Sequence, residues 1–294
     1  MGNTCWVNKW CLGVVLYLGL SLQICAQFEN IPITPYALGG STVAASLGSE
    51  SVLHNPAGLL GIREHQIEMG YADSFSAVQS GWISMGKRLL KNTVVNLAFP
   101  VTMVQHDTTV ENNIGQAEVV GGFQDMQAAA IVSVASEVKP GVTLGINGKY
   151  VMHQISTEQS AGFALDAGIQ YHNDLLRLGV VIQNVGGFTK TWSTGLSESI
   201  PMTIGAGTQF FLPFGVTVLG DVRLTDNTRV IGLGILGTLN QYLTLFGGLA
   251  DVGVSNTLRM GMALDLSGFT LKYAMSLHEE LGVSHRFGLC FTTF

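Results

Sequence analysis

The amino-acid sequence predicts an all-β protein: a 14-stranded antiparallel transmembrane β-barrel with an N-terminal hatch, or plug, segment. Three observations lead to this prediction. Short segments alternate apolar and non-apolar residues; 47% of the 294 residues are hydrophobic and only 12% are charged; and no apolar run after the N-terminal leader reaches the roughly 18 residues of a membrane-spanning helix. A chain that meets lipid without such helices satisfies its backbone hydrogen bonds by closing a sheet into a barrel.

The first 26 residues are typical of a cleavable secretory signal peptide. Lys9 precedes an apolar core from Cys11 to Leu22, and Ala26 ends a segment that suits cleavage. The alternative is an uncleaved anchor helix, which the short apolar core disfavours. Three of the four cysteines lie in this leader, so Cys290 remains alone and neither a disulfide nor a cysteine metal site is predicted.

A segment without strand alternation follows the leader and ends at residue 64. It contains Pro32, Pro35, Gly39-Gly40 and the run Asn55-Pro56-Ala57-Gly58-Leu59. The segment is too long for a simple linker and too apolar to lie in water, so we expect it to fold into the barrel mouth. The predicted organisation is a signal peptide over 1–26, a hatch over 27–64 and a transmembrane barrel over 65–294.

Fourteen segments have the period-two pattern of strands that present one apolar face. In the clearest of them, Val142, Leu144 and Ile146 alternate with Thr143 and Asn147. The fourteen predicted strands cover 66–71, 78–87, 92–99, 126–136, 142–152, 162–171, 175–184, 202–211, 215–224, 229–237, 242–250, 257–265, 269–276 and 282–293.

The non-apolar faces of these strands mix small residues with isolated charges of both signs, which we expect to pair across strands inside the barrel. A soluble β-sandwich would need many more charges on its outer surface. The charges in question are Asp166, Arg177, Asp221, Arg223, Arg259, Asp265, Lys272 and Arg286.

The connections between strands give an independent indication of a barrel. The longest gaps, at about 100–125, 153–161 and 185–201, follow the third, fifth and seventh strands and therefore fall on one side. Outer-membrane barrels have long loops outside and short turns on the periplasmic side. The last strand carries Phe287, Leu289, Phe291 and the terminal Phe294, an amphipathic end that we expect the outer-membrane insertion machinery to bind, although Phe294 is out of phase with the others.

The run Asn55-Pro56-Ala57-Gly58-Leu59, placed after a Gly-Gly stretch and before the first strand, resembles the N-terminal signature of FadL-type outer-membrane proteins. That family includes the long-chain fatty-acid transporters and a PorV-like secretion-associated branch. The segments 182–186, 200–201 and 281–287 resemble the PorV-like branch. The resemblance implies a barrel plugged by a hatch, with hydrophobic cargo caught outside, passed inward and released sideways through an opening in the wall.

The leading functional interpretation is a monomeric passive channel in the outer membrane of a Gram-negative-type (diderm) bacterium, with a long-chain fatty acid or another hydrophobic ligand as cargo and membrane lipid around it. The alternative is a structural or secretion-associated PorV-like barrel that binds exported proteins. The run at 55–59 either anchors the hatch or contacts cargo. The candidate ligand contacts are apolar residues of predicted loops, which otherwise pack loops together or form an aromatic belt; they are Met103, Val104, Phe188 and Trp192.

Composition and motifs argue against other classes of protein. The net charge of −6, without a basic cluster, disfavours nucleic acid as a partner. A GxGxxG match at 232–237 lacks the helix that a dinucleotide site requires, and GxSxG, HExxH and CxxC motifs are missing from the sequence. We therefore expect no enzymatic activity, no cofactor and no metal site.

Overall fold

The structure is a computed structural model that describes residues 28, 30–111, 117–186, 188–226, 228–278 and 282–293. The predicted signal peptide over 1–26 and the terminal Phe294 lie outside these residues. Among the described residues, no helix has both the length and the apolar character needed to cross a membrane.

Within the described part of the chain, sixteen strands form a single antiparallel sheet. They are β1 (His65–Ser74), β2 (Val78–Leu90), β3 (Thr93–Glu111), β4 (Ala117–Lys139), β5 (Val142–Ile155), β6 (Glu158–His172), β7 (Leu176–Gln183), β8 (Phe188–Trp192), β9 (Ser197–Ile200), β10 (Thr203–Phe211), β11 (Val216–Thr225), β12 (Thr228–Thr238), β13 (Leu243–Ala250), β14 (Thr257–Asp265), β15 (Phe269–His278) and β16 (Gly282–Thr293).

Fourteen of these strands close a barrel, which confirms the predicted fold class and strand number. Each barrel strand pairs with its neighbours in sequence, and β1 pairs with β16 from His65↔Thr293 to Ser74↔Ser284. The other two strands form the hairpin β8–β9 between β7 and β10, and this hairpin joins the edge of β6 at Ser160↔Trp192. Every predicted strand overlaps one barrel strand.

The barrel exposes apolar side chains outward and encloses polar ones. On β6, Phe163 is 77% exposed and Leu165 is 56% exposed, whereas the neighbouring Asp166 is only 2% exposed. The same alternation on β5 exposes Ile146 and buries Asn147. An apolar outer surface over a polar interior is the pattern of a barrel surrounded by lipid.

Two predicted loops are wrong. The predicted gap at 100–125 is mostly sheet, because β3 continues to Glu111 and β4 begins at Ala117, with pairs such as Gln105↔Gln124. Apolar and polar residues do not alternate along the sequence of this extension, so it has no amphipathic pattern. The predicted gap at 153–161 is a two-residue turn between β5 and β6. The third gap, 185–201, contains the hairpin β8–β9.

The two ends of the barrel differ in their connections. We call the end that carries the connections after β1, β3, β5 and β7 the loop rim, and the opposite end, where β1 begins and β16 ends, the turn rim. The hairpin β8–β9 and the extensions of β3 and β4 lie at the loop rim. The turn rim has connections of two to four residues in the described structure, such as 91–92, 140–141 and 212–215.

Residues 30–64, which we call the inner segment, are packed against the inside of the barrel. The segment contains the helix α1 (Ile33–Ala37) and two 3-10 helices, Gly48–Leu53 and Pro56–Gly61. Helix α1 contacts β13 to β16, and the second 3-10 helix contacts β3 to β6. Nearly every residue from 31 to 59 is buried. The segment therefore contacts opposite sides of the barrel from within.

Glycine on the inner face of the wall lets the inner segment approach closely. A Cβ at Gly145 of β5 would lie 2.3 Å from the backbone nitrogen of Ala57. That neighbour is backbone, which cannot rotate away. Gly148, three residues along on the opposite face of β5, has open space at the corresponding position.

We expect Gly145→Val to destabilise the folded barrel by about 2 kcal/mol or more, because the new side chain overlaps the backbone at Ala57. Gly148→Val is the matched control on the same strand and is expected to cost much less. Urea titration of the refolded proteins, followed by heat-modifiable gel migration, measures both. Equal unfolding midpoints for the two variants would contradict this packing.

Candidate functional site

Asn55 joins the inner segment to the wall. Its Oδ1 accepts a hydrogen bond from the backbone N–H of Ala57 (3.1 Å) and so caps the second 3-10 helix. Its Nδ2 donates to Val43 O at 2.7 Å and lies 3.4 Å from both Ile169 O of β6 and Val180 O of β7. Asn55 therefore links the inner segment to two wall strands.

The whole run from Asn55 to Leu59 is buried. Pro56 occupies the first position of the 3-10 helix, where its missing N–H costs nothing. Gly168 of β6 faces the Asn55 amide so closely that a Cβ there would lie 1.9 Å from Oδ1. These contacts are those of an anchor, and contact between the run and cargo stays a prediction.

Other polar side chains of the wall bind the backbone of the inner segment. Gln170 Nε2 donates to Val43 O (2.9 Å) and Ala45 O (3.0 Å), and Gln183 Nε2 donates to Leu53 O (3.1 Å). From β11, on the same side of the barrel, Asp221 Oδ2 accepts from the N–H of Val43 at 2.7 Å. The polar interior of the barrel thus satisfies backbone groups that burial takes from water.

Buried ion pairs add to these contacts. Lys272 of β15 lies 2.8 Å from Glu50 of the inner segment and 2.5 Å from Glu68 of β1, and both carboxylates are almost fully buried. Lys149 of β5 lies 2.5 Å from Asp166 of β6. The predicted pairing of lumen charges is therefore correct for Asp166 and Lys272.

A second charged group holds the hairpin β8–β9 against the wall. Lys190 of β8, which is 1% exposed, lies 3.0 Å from Glu198 of β9 and 3.1 Å from His153 Nδ1 of β5. His153 Nε2 is 2.8 Å from Asp125 of β4. The ring of Trp192 lies 4.9 Å from the His153 ring. Sequence reasoning missed this group, because its members meet only through strand pairing.

An apolar patch lines the lumen on the side of β2 to β6. Its members are buried, face inward and belong to one hydrophobic cluster with Leu53 of the inner segment. Several are alanine, so the side chains of the wall project only a short distance into the lumen there. We call this set the apolar wall patch: Trp82, Ala98, Ala129, Val151 and Ala164, with Ile200 at the end of the hairpin.

The four predicted ligand contacts do not form one cluster, and all four lie in strands, not in loops. Val104 and Met103 belong to β3, where Val104 shares the face of buried Ala98 while Met103 lies on the opposite face. Trp192 contacts His153, as described above. Phe188 begins β8, and its side chain is not among those described. Val104 and Trp192 are thus the predicted contacts on the lumen side.

Hydrogen bonding in the wall is interrupted beside the apolar wall patch. The β3–β4 ladder pairs Ala98 with Ile131 and then Val101 with Ala128 in the same register, and Phe99 and Pro100 between them form no ladder pair with β4. Proline cannot donate to a ladder, and it is rarely found inside a central strand. Pro100 itself is buried, whereas Phe99 is 46% exposed on the outer face. The β3–β4 ladder therefore lacks two pairs at this point.

The last strand presents Phe287 and Phe291 on the outer surface, at 54% and 43% exposure. Phe291 packs on Phe269 with ring centroids 4.9 Å apart, and Leu289 of the same face is half-buried. Recognition of this end by insertion machinery stays a prediction. Within the described residues, no group of histidine, cysteine, aspartate and glutamate could hold a metal ion.

Comparisons with known proteins identify the fold. No protein-family model matches the chain, and no curated protein matches its sequence. Among solved structures, the toluene transporter TodX of Pseudomonas putida superposes with a TM-score of 0.65 at 12% identity, covering 87% of this chain and 96% of that one. The toluene transporter TbuX of Ralstonia pickettii gives 0.63 at 13% identity, with 91% and 99% coverage.

A Pseudomonas aeruginosa FadL homologue superposes with a TM-score of 0.64 at 10% identity, covering 89% of this chain and 98% of that chain. At these identities the likeness concerns the fold. The chain therefore has the fold of FadL-type outer-membrane barrels, as the resemblance at 55–59 predicted.

Lys272 is expected to be essential for the stability of the lumen. Lys272→Met leaves the buried carboxylates of Glu50 and Glu68 without their cation, which we expect to cost about 3–5 kcal/mol in the free energy of unfolding. Lys87→Met, at an exposed position of β2, is the control. Denaturant titration of the refolded proteins tests this, and matching midpoints for both variants would exclude the proposed role of the ion pairs.

Proposed function

We propose that the chain is a monomeric passive channel of a diderm outer membrane that carries hydrophobic small molecules, with long-chain fatty acids as the main class. The observation that supports this best is the apolar wall patch, which faces the lumen beside the interrupted β3–β4 ladder. The similar structures named above are transporters of toluene and a FadL homologue, which agrees with a hydrophobic cargo.

The inner segment serves as the hatch in this proposal, with residues 27–64 as hatch and 65–294 as barrel. Asn55 and the wall side chains Gln170, Gln183 and Asp221 hold its backbone in place. Their hydrogen-bonding groups are engaged with the segment, so an apolar molecule gains little by passing between them. The hatch thus blocks the straight path to the turn rim.

A sideways exit suits an apolar cargo better. Transfer of acyl chain from water to the apolar wall patch is favourable by about 0.8 kcal/mol per buried methylene. Cargo that moves into the lipid beyond Phe99 and Pro100 gains the same transfer free energy, and it does not have to cross the polar inner segment. We propose that cargo leaves the patch through the wall at the gap in the β3–β4 ladder.

The alternative function is a PorV-like barrel that binds exported proteins, and one feature favours it. The strands β3 and β4 extend past both neighbours, since β2 pairs with β3 only as far as Val104 and β5 pairs with β4 only from Asp125. Beyond these residues, the described β3–β4 ribbon has unpaired edges. Such edges can accept a strand from another protein.

Filling the apolar wall patch should block transport. We expect Ala129→Phe to reduce uptake of radiolabelled oleate at least tenfold in diderm cells that lack their own channel for hydrophobic compounds. Ala130→Phe, the next residue on the outer face of β4, is the control and should leave uptake unchanged. Co-purification of exported proteins, without saturable oleate binding by the refolded chain, would support the alternative function and reject the channel.

Restoring an N–H at position 100 should slow release. Pro100→Val supplies the missing backbone donor at the gap, so we expect several-fold slower uptake of oleate in the same cells. Saturable binding of oleate to the refolded protein should be unchanged, since the patch is intact. Wild-type uptake by this variant would argue against exit through this part of the wall.

A further inference from the structure

The hairpin β8–β9 covers a part of the wall that β7 leaves open. In the described structure, β7 pairs with β6 only over residues 167–172, so the loop-rim half of β6 has no partner from β7. The hairpin lies there and forms two ladder pairs with β6, Ser160↔Trp192 and Ala161↔Thr191. Two pairs are a short backbone attachment, so contacts between side chains contribute much of what holds the hairpin on the wall.

The base of the hairpin is fixed to the wall at Asn184. Its Oδ1 accepts a hydrogen bond from Lys149 Nζ (2.8 Å), and its backbone N–H donates to Asp166 Oδ1 (3.0 Å). Its Nδ2 donates to Pro201 O (3.2 Å), at the other end of the hairpin. With a φ of 54°, Asn184 is in the left-handed region that asparagine tolerates. The two ends of the hairpin are therefore held together, which makes this base a hinge point.

Lys190 attaches the middle of β8 to the wall through a histidine. Its Nζ lies 3.1 Å from His153 Nδ1 of β5 and 3.0 Å from Glu198 of β9. Glu198 belongs to the hairpin itself, so the bond to His153 is the one that connects the Lys190 ammonium to the wall. Lys190 is only 1% exposed, so little water is present to replace that bond.

The geometry specifies which ring nitrogen of His153 carries the proton. A lysine ammonium has donors and no acceptor, so His153 Nδ1 accepts from Lys190. Nε2 lies 2.8 Å from Asp125 Oδ1, which only accepts, and so Nε2 carries the N–H of the ring. The imidazole is therefore neutral while the hairpin is attached.

Two charged groups contact this ring in the described part of the chain, Asp125 from β4 and Lys190 from β8. The charged groups of the neighbouring elements lie one contact further away and are already bonded: Glu198 to Lys190, Glu158 of β6 to Ser193 of the hairpin turn, and Lys149 of β5 to Asp166. A change in the charge of the imidazole is therefore felt first by Lys190 and Asp125.

A second proton on the imidazole removes the bond to Lys190 and replaces it with repulsion. Nδ1 then carries an N–H and cannot accept from the ammonium, and two cations lie 3.1 Å apart in a buried place. The ring of Trp192, whose centroid is 4.9 Å from that of His153, still attracts a cation. That attraction is weaker than the repulsion between two buried charges in contact, so protonation favours detachment.

Ser160 provides an acceptor for the protonated ring. It lies directly opposite His153 in the β5–β6 register and is 4% exposed. Its hydroxyl has no hydrogen-bond partner in the described structure. Once Lys190 has moved away, this hydroxyl can accept from the new N–H at Nδ1. Both proton states of His153 therefore have hydrogen-bond partners, one with the hairpin attached and one with it detached.

We propose that His153 and Lys190 form a pH-sensitive latch, which holds the hairpin β8–β9 on the wall while the imidazole is neutral and releases it when the imidazole takes up a proton. Histidine ordinarily changes charge between about pH 5 and pH 8, so the hairpin is attached at the upper end of this range and detaches as the pH falls. Ile200 of the hairpin packs in the apolar wall patch, so release uncovers the patch at the loop rim. This consequence for cargo rests on the proposed function, whereas the latch itself does not.

Distances between two spin labels test the latch. Leu196 in the hairpin turn and Val254 in the connection between β13 and β14 are both exposed at the loop rim. Each is changed to cysteine in the refolded chain without its predicted leader, with buried Cys290 changed to alanine. We expect one narrow distance at pH 8 and, at about pH 5, a broad distribution displaced by at least about 5 Å, one strand spacing. Labels at Ala77 and Val254, away from the hairpin, should keep one distance at both pH values.

Variants of the two latch residues identify the group that responds. In His153→Gln, the amide can accept from Lys190 and donate to Asp125 but takes up no proton, so the hairpin should stay attached at both pH values. His172→Gln, at the exposed turn-rim end of β6, is the matched control and should detach like the wild-type chain. Lys190→Gln should also stay attached in acid, because an amide can accept as well as donate, and it decides the matter if His153→Gln fails to refold.

A third variant tests the acceptor of the released state. Ser160→Ala removes the hydroxyl that the protonated ring would use, so release should need a lower pH than in the wild-type chain. The same label distances at both pH values in the wild-type chain would overturn the latch. A pH response that persists in His153→Gln or Lys190→Gln would also overturn it. A working latch in a chain that binds no oleate would leave this inference standing and reject only the channel.

Discussion

The backbone of the inner segment forms hydrogen bonds with polar side chains on the inner wall of the barrel. The rest of the structure depends on these hydrogen bonds. Lipid requires a closed sheet with an apolar outside, so the polar groups of the wall must point inward. A barrel of fourteen strands is wider than its own side chains can fill. Asn55, Gln170 and Asp221 bridge the gap by bonding to backbone groups of the segment. Glycines such as Gly145 bring the two surfaces into contact.

This arrangement divides the lumen by chemistry. Where the inner segment and the wall meet, wall side chains bond to the backbone of the segment, and Lys272 pairs with both Glu50 and Glu68. On the side of β2 to β6, the wall is apolar and its hydrogen-bond ladder is broken at Pro100.

The sequence predicted the features that contact with lipid requires. It did not predict the features on which lipid places no constraint. The strands through the membrane, such as β5 and β6, were predictable because one face must be apolar. Apolar and polar residues do not alternate along the extensions of β3 and β4, so the sequence pattern predicts a loop there. The position of Asn55 was predictable from its motif. Its contacts with Ile169 and Val180 were not, because they depend on register more than a hundred residues away.

The proposed channel requires that hydrophobic cargo enters the lumen and lies against the apolar wall patch. The most direct measurement is a crystal structure with a fatty acid that carries bromine near the middle of its chain. We predict an anomalous bromine peak against Ala98 and Ala129. A peak found only on the lipid-facing outer surface, with the lumen empty, would contradict the claim.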